Sequence, residues 1–199
     1  MLQLDDLQVV LEADAGLVRA LDGLSLTLSR GETYALVGES GCGKSMTALA
    51  MMRLLPDNGR VARGRVALSA DAPDAKPTEL LALPESLMRK VRGGRVGIIF
   101  QEPATSLNPV MRVGDQIVEA IETHTPLRGE AARAKAVEWL RRVGIPEPER
   151  RIDSYPFEMS GGQKQRVMIA MTLAAEPAYL IADEPTTALD VTIQKQVLD

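Results

Sequence analysis

Residues 38–45, which read Gly-Glu-Ser-Gly-Cys-Gly-Lys-Ser, carry the clearest chemistry in the sequence. Their spacing matches a phosphate-binding loop, in which glycines let backbone N–H groups wrap phosphates without Cβ clashes. Lys44 would neutralise the β and γ phosphates of a nucleotide, and the Ser45 hydroxyl would bind Mg²⁺. The alternative is a glycine-rich turn that ends in a solvated lysine. Because a predicted strand precedes the run and a predicted helix follows it, we expect phosphate binding through Gly38, Ser40, Gly41, Cys42, Gly43, Lys44, Ser45 and Met46.

Two adjacent acids follow the apolar run from Tyr179 to Ala182. If that run is a buried strand, Asp183 would lie near the metal of the phosphate loop as a second anchor for Mg²⁺. Glu184 would then orient or deprotonate an attacking water. The alternative is a solvated turn at the end of a strand, and these residues alone do not decide between the two.

A second glycine-containing segment, Met159-Ser160-Gly161-Gly162-Gln163, precedes a predicted helix. Ser160 is a good N-cap, and the two glycines leave the N–H groups of the first helical turn uncovered. The alternative is an ordinary capped helix after a loop. With Gln-Lys-Gln-Arg directly after the two glycines and the acids of residues 183 and 184 further on, the segment favours a second phosphate-binding helix terminus.

These residues must be positioned by strands and helices that the hydrophobic pattern predicts. Leu2 to Val10 and Leu24 to Leu28 are predicted strands, the second with alternating leucines. Short apolar runs predict buried strands at Thr33–Val37, Val96–Phe100 and Tyr179–Ala182. Helices are predicted at Lys44–Leu55, Gly114–Thr123, Glu130–Val143 and Gly161–Ala175.

The order of these elements predicts an α/β fold with a helical lobe at about residues 110–175 inserted between strands. Asp71 to Pro77 is polar and contains prolines, so we expect a surface loop there. The whole chain, residues 1–199, is expected to form one domain with a full hydrophobic core.

Composition excludes several other classes of protein. The net charge is −4, the pI is about 5.2 and aromatic residues make up 3% of the chain, so no nucleic-acid partner is expected. A single cysteine excludes an intrachain disulfide. The sequence has no apolar run of about 18 residues and no secretory signal pattern, so we expect a cytoplasmic protein that reaches a membrane only through a partner.

The set GESGCGKS, FQEP, MSGGQKQR, LIADEP and TALD, in this order and spacing, resembles the ATP-binding subunits of ABC transporters. The segments QEPATSLNP and EPTTALDVTIQ resemble, more closely, the dipeptide, oligopeptide and microcin-type peptide importers of bacteria. The resemblance covers essentially the whole chain. It implies a P-loop NTPase core with a mostly parallel sheet, an N-terminal antiparallel β subdomain and an inserted helical lobe that carries the signature motif.

The resemblance also assigns roles to individual residues. Gln101 matches the glutamine that senses Mg²⁺ and the attacking water, which makes it a catalytic and metal-binding candidate with Ser45, Asp183 and Glu184. Residues 102–109 would face the transmembrane partner. Asp190 matches the D-loop aspartate at the interface with a second subunit. The residues that would contact ATP bound to that subunit are Ser160, Gly161, Gly162 and Gln163.

The function implied is Mg-ATP hydrolysis that powers peptide import at the cytoplasmic face of the bacterial inner membrane. Two such domains, identical or different, would close around ATP, which is held by the phosphate loop of one and the signature motif of the other. The implied partners are transmembrane permease subunits and, indirectly, a periplasmic or extracellular substrate-binding protein.

Three departures from the family pattern affect these expectations. The stretch Ala13–Val18 lacks the aromatic residue that usually stacks on adenine, so we expect aliphatic contact with the base. Met159 replaces the commoner leucine, which is a mild apolar exchange. The family's switch histidine would lie beyond Asp199, so we expect a C-terminally truncated domain with weak ATPase activity. His124, the one histidine in the sequence, is expected at a helix end or on the surface.

Two other functions share part of this pattern. A DNA-repair or chromosome-organising ATPase would use the same nucleotide motifs, but residues 101–160 contain neither a long heptad array nor a cysteine pair. The second alternative is a module that binds nucleotide without hydrolysing it. An assay of phosphate release distinguishes it from the transporter subunit.

Overall fold

The computed structural model describes residues 1–14, 16–69, 76–102 and 106–184. The chain divides into two compact units, Met1–Arg89 and Lys90–Asp199, which are described separately below. The predicted loop at Asp71–Pro77 lies largely outside the described residues, as does Asp190.

The first unit contains a four-stranded sheet in the order β2-β1-β3-β4, in which every neighbouring pair is antiparallel. The antiparallel N-terminal sheet that the sequence predicts is therefore confirmed. The predicted strand from residue 24 is longer than expected, and two strands were not predicted. The strands are β1 (Leu2–Ala13), β2 (Gly16–Leu28), β3 (Gly59–Leu68) and β4 (Thr78–Glu79).

A bulge in β1 keeps its apolar side chains on one face. Leu4 and Leu7 are both fully buried although they are three residues apart, and the pairing register with β2 and β3 shifts between them. Asp6 has a φ of 47°, and its backbone N–H donates to Ser25 Oγ at 2.8 Å. The bulge therefore inserts one extra residue between Leu4 and Leu7, and the Leu7 side chain stays in the core.

Helix α1 (Lys44–Met52) follows the glycine-rich loop and buries Ala48, Ala50 and Met52. It ends three residues earlier than the sequence predicts because Arg53 adopts a left-handed conformation, with a φ of 52°. The Arg53 guanidinium then donates to the carbonyl of Leu83 at 2.5 Å. A second helix, α2 (Glu85–Val91), was not predicted.

The predicted buried strand at Thr33–Val37 is wrong for this structure. These residues have no regular secondary structure, and Val37 is 88% exposed. An apolar segment becomes a strand only when a neighbouring strand supplies hydrogen-bond partners. No strand among the described residues pairs with this segment.

The second unit contains a parallel pair of strands, β5 (Val96–Ile99) and β6 (Tyr179–Ala182), with Ile99 opposite Ala182. Both were predicted to within one residue. The helix Gly161–Ala174 packs closely on β5 at Gly97, where an added Cβ would lie 2.8 Å from Thr172 Cγ2. The helices are α3 (Val113–His124), α4 (Gly129–Arg142), α5 (Pro148–Arg151) and α6 (Gly161–Ala174), with a 3₁₀ turn at Pro156–Glu158.

The core of this unit is formed mainly by α3, α4 and α6. The apolar face of α4 is formed by Ala132, Ala136 and Leu140, which are fully buried, while Trp139 packs at its edge. The longest helices of the described residues have 14 residues, so this part of the chain holds no coiled-coil insertion. None of the described helices is long and apolar enough to cross a membrane.

Candidate functional site

The glycine-rich loop at residues 38–43 folds around the ammonium group of Lys44. The Nζ atom donates to the carbonyls of Gly38 at 2.9 Å and Glu39 at 2.8 Å. Cys42 Sγ lies 3.8 Å from the same nitrogen. The lysine therefore lies at the loop and in reach of any anion that the loop holds.

Glycine is required at two positions of this loop for different reasons. Gly43 has a φ of 96°, and a Cβ there would meet the carbonyl oxygen of Ala20 at 2.6 Å. A Cβ at Gly38 would lie 2.5 Å from Cys42 Sγ, so the thiol fills the space that a side chain at 38 would need. Both contacts explain the glycine spacing that the sequence pattern identified.

Helix α1 begins at Lys44 with the left-handed Gly43 as its N-cap, and no described side chain caps it. The Thr47 hydroxyl and backbone N–H both donate to the Gly43 carbonyl at 2.9 Å, which fixes the start of the helix. Ser45 and Met46 lie in the first turn and are half-buried. An uncapped helix N-terminus presents N–H donors and a positive dipole end to an anion.

In the second unit, the parallel pairing of β5 and β6 brings Gln101 to Glu184. The ladder ends with Ile99 opposite Ala182, and the Asp183 N–H donates to the Ile99 carbonyl at 2.9 Å. Gln101 Nε2 then donates to Glu184 Oε2 at 2.8 Å. Two predicted catalytic side chains therefore meet, and Asp183 directly precedes Glu184 in the sequence.

Glu184 adopts a left-handed backbone conformation, with a φ of 48°. Non-glycine residues rarely adopt this conformation and concentrate at functional sites when they do. Its side chain is exposed, whereas Asp183 is half-buried. The sharp turn after β6 thus leaves the Glu184 side chain exposed and the Asp183 side chain half-buried. Separate roles for the two acids would require such different environments.

Ser160 caps α6 as the sequence predicts. Gln163 N–H donates to Ser160 Oγ at 3.3 Å, and Ser160 N–H donates to Gln163 Oε1 at 3.0 Å, which forms a reciprocal capping box. Gly161 is exposed, and a Cβ added to it would meet nothing within 4 Å. Gly162 is half-buried. The helix end is therefore open to a ligand next to an ordered serine hydroxyl.

One feature beside this segment escaped the sequence-based predictions. The rings of Tyr155 and Phe157 stack with centroids 5.5 Å apart and planes 11° from parallel. The alternation Tyr-Pro-Phe at residues 155–157 is the signal that could have revealed the pair. His124 is the last residue of α3, as predicted, and burial lowers the pKa of its imidazole.

Comparisons with known proteins agree with this arrangement. The sequence profile of the family described as "ABC transporter" matches residues 21–187. Over its whole length the chain is 49% identical to the oligopeptide transport ATP-binding protein OppD of Bacillus subtilis (strain 168), covering 54% of that protein. It is 46% identical to the dipeptide transport ATP-binding protein DppD of the same strain, covering 58%. The chain therefore spans about half the length of the curated relatives that it matches.

Among solved structures, the dimeric bacterial ABC transporter cassette MJ0796 matches with a TM-score of 0.85 and 26% identity. The match covers 100% of this chain and 80% of the cassette. A post-hydrolysis dimer of the same cassette, bound to ADP and Pi, matches with the same TM-score and 27% identity. The predicted fold is thus confirmed.

Proposed function

This chain belongs to the ABC transporter family, and from that premise we propose that it binds Mg-ATP and hydrolyses it to power peptide import. The observation that carries the proposal is the loop folded around Lys44 at the uncapped start of α1. Such a loop offers a cation, a positive helix end and backbone donors at one place, which is what a triphosphate requires.

The residues available for Mg²⁺ fit an ion that is bound chiefly by phosphates and water. Magnesium usually takes one or two protein carboxylates together with substrate phosphates and several waters. Among the described residues, no group of three or more His, Cys, Asp or Glu side chains could hold a metal alone. Ser45, Gln101 and Asp183 instead offer a hydroxyl, an amide and a carboxylate oxygen, all of them hard donors. When bound, Mg²⁺ would neutralise charge on the β and γ phosphates.

Glu184 is proposed as the general base for the attacking water. The amide of Gln101 donates to Oε2 of Glu184, which orients the carboxylate that would accept a proton from water. Gln101 thereby positions the carboxylate, and its own amide oxygen can accept a hydrogen bond from the same water or bind the metal.

The signature segment is proposed to act on nucleotide held by a second subunit. Ser160 and the open helix end beside Gly161 form an anion site in this chain besides the phosphate loop. The dimeric cassettes that the chain resembles support an assembly of two such subunits. The second subunit would be a copy of this chain or a related one, with Gly162, Gln163 and Asp190 at the same interface.

The transport role follows from relatives whose names describe oligopeptide and dipeptide transport. We propose that the chain works at the cytoplasmic face of the bacterial inner membrane, bound to permease subunits through residues 102–109. A periplasmic or extracellular substrate-binding protein would deliver the peptide to those permease subunits.

Phosphate release and nucleotide titration together test the proposal. The protein should bind Mg-ATP and release phosphate, and Glu184→Gln should lower release by about 10²–10⁴-fold while keeping binding. Glu130→Gln, an exposed acid in the first turn of α4, is the matched control and should behave as wild type. Binding without release from the wild-type protein would contradict hydrolysis and leave a nucleotide-binding module.

A further inference from the structure

The aromatic pair of Tyr155 and Phe157 precedes α6, and Phe157 is three residues before the capping Ser160. The chain has only two phenylalanines and three tyrosines. One face of the Phe157 ring is covered by Tyr155, at a centroid distance of 5.5 Å. Phe157 nevertheless remains 72% exposed. A ring with one face stacked and most of its surface in water can accept a flat partner.

The pair is held rigidly by its short 3₁₀ turn. Pro156 and Met159 are buried, and the Met159 N–H donates to the Pro156 carbonyl at 3.1 Å. Because a 3₁₀ turn has three residues per turn, burial of these two residues directs Phe157 outward. Glu158 Oε2 accepts from the Tyr155 N–H at 2.7 Å, which closes the turn from the other side.

Arg112 lies beside Tyr155, and the Tyr155 side chain is the main cause of the raised pKa of the Arg112 guanidinium. Arg112 is the N-cap residue of α3, and its guanidinium also lies 3.6 Å from Asp153 Oδ1. Tyr155, on which Phe157 stacks, therefore lies beside the N-terminus of α3, a helix that belongs to the core of this unit.

We propose that Phe157 stacks on the base of the nucleotide held by the phosphate loop of a partner subunit. This inference rests on the proposed function, in which Ser160 faces that nucleotide's phosphates. Phe157, in the 3₁₀ turn, lies three residues before Ser160, so their Cα atoms are at most about 10 Å apart. An extended nucleotide separates its base from its terminal phosphate by a similar length, so one subunit can contact both ends.

The other face of the base has aliphatic neighbours available. The described part of the stretch upstream of the loop contains no aromatic residue, and Leu17 and Val18 are 61% and 51% exposed. In the subunit that holds the nucleotide, the base would therefore contact Leu17 and Val18 and no aromatic ring of this stretch. Phe157 of the facing subunit supplies one, because each nucleobase has a π-face. The expected ligand is a purine nucleotide, since the larger ring overlaps Phe157 more than a pyrimidine does.

Steady-state hydrolysis by the natural protein tests this subsite. Phe157→Ala should raise KM for ATP by about 5- to 150-fold, the usual range for losing one stacked ring, with a smaller change in kcat. KM for CTP should rise less than KM for ATP. Phe157→Tyr should keep both values near wild type, because it preserves the ring. Val110→Ala, which truncates another highly exposed apolar residue of the same unit, is the control.

A spectroscopic test locates the contact in the dimer. Phe157→Trp in the Glu184→Gln background should show quenched emission from the new tryptophan when ATP drives dimerisation. Glu184→Gln alone gives the baseline from Trp139. Adding Ser160→Arg, which blocks the dimer, should remove the quenching.

The outcomes separate this inference from the function on which it rests. An ATP-driven dimer with unchanged emission, and an unchanged KM for Phe157→Ala, would overturn the stacking inference alone. A loss of permease-coupled turnover with no change in KM would also overturn it, because Phe157 would then serve the membrane partner. If Glu184→Gln never dimerises with ATP, the proposed two-subunit mechanism and this inference both fail.

Discussion

Gln101 and Glu184 are 83 residues apart in the chain and are joined by a hydrogen bond of 2.8 Å between their side chains. The parallel ladder of β5 and β6 accounts for the contact, because its last pair, Ile99 and Ala182, lies two residues before each of them. The position of the proposed general base is therefore set by strand register and by the hydrogen bond from the Gln101 amide. Changes at either side chain should affect turnover more than nucleotide binding.

Glu184→Gln should leave ATP binding intact and lower turnover by about 10²–10⁴-fold, the usual contribution of a general base. The new amide oxygen can still accept from Gln101, so the local geometry should persist. ATP should then hold two subunits together, because hydrolysis no longer separates them. Gel filtration with ATP and phosphate release measure the two effects. Continued hydrolysis with only monomer present would mean that another residue is the base.

Lys44→Ala should greatly weaken Mg-ATP binding, because the loop loses its main cation. It also loses the bonds to the carbonyls of Gly38 and Glu39, so circular dichroism should accompany the measurement. Titration with a fluorescent ATP analogue gives the affinity, and Lys90→Ala, an exposed lysine of α2, is the control. Unchanged affinity in a folded Lys44→Ala protein would remove this lysine from the site.

Ser160→Arg should leave ATP binding by the isolated monomer unchanged and abolish cooperative hydrolysis. In the proposed dimer the serine serves nucleotide on the opposite subunit, so a bulky cation there would block closure. The measurements are nucleotide titration at low protein concentration and turnover as a function of protein concentration. An equal loss of binding by the monomer would show that this segment acts within its own chain.

Gly114→Ala should destabilise the second unit. The added Cβ would lie 2.2 Å from Ile152 Cγ1 and 2.5 Å from the Ile152 carbonyl oxygen, so the backbone must move. Overpacking of this kind costs about 1–3 kcal/mol in unfolding free energy. Gly161→Ala, in the first turn of α6 with no atom within 4 Å of the new Cβ, is the matched control. Thermal unfolding should separate the two variants by several degrees, on the order of 2–8 °C.

The stability of the chain should respond to His124 in mildly acidic solution. Burial lowers the pKa of this imidazole from its ordinary value of 6.5, so the unfolded chain binds a proton more readily than the folded one. The unfolding free energy should therefore decrease as pH falls from above 6.5 and level off below the folded pKa. Urea denaturation across this range should show the decrease, and His124→Asn should remove it. If the unfolding free energy of His124→Asn decreases with falling pH as much as that of the wild type, carboxylates cause the decrease.

The sequence predicted the long helices of the second unit well, because they depend on local patterns. The start of α6 was predicted at the correct residue, since Ser160 and two glycines mark a helix start. Strand β6 was predicted at both ends from its apolar run. The contact of Gln101 with Glu184 was not predictable as a bond, since it depends on which strands become neighbours.

The failures share a physical cause, which is that strands need partners that the local sequence does not specify. Thr33–Val37 has the composition of a buried strand but no described strand beside it. Conversely, β3 (Gly59–Leu68) contains three arginines and was not predicted, yet β1 pairs along most of its length. The Tyr155–Phe157 pair was missed because only the buried residues on either side of Phe157 show that its ring must point outward.

The ammonium of Lys44 donates to the carbonyls of Gly38 and Glu39, so one side chain both carries the positive charge of the loop and ties its backbone together. A side chain of different length or charge at this position would therefore alter the shape of the loop as well as its charge. The close packing at residues 38 and 43 leaves no room for a Cβ, so the same constraint extends to these two glycines.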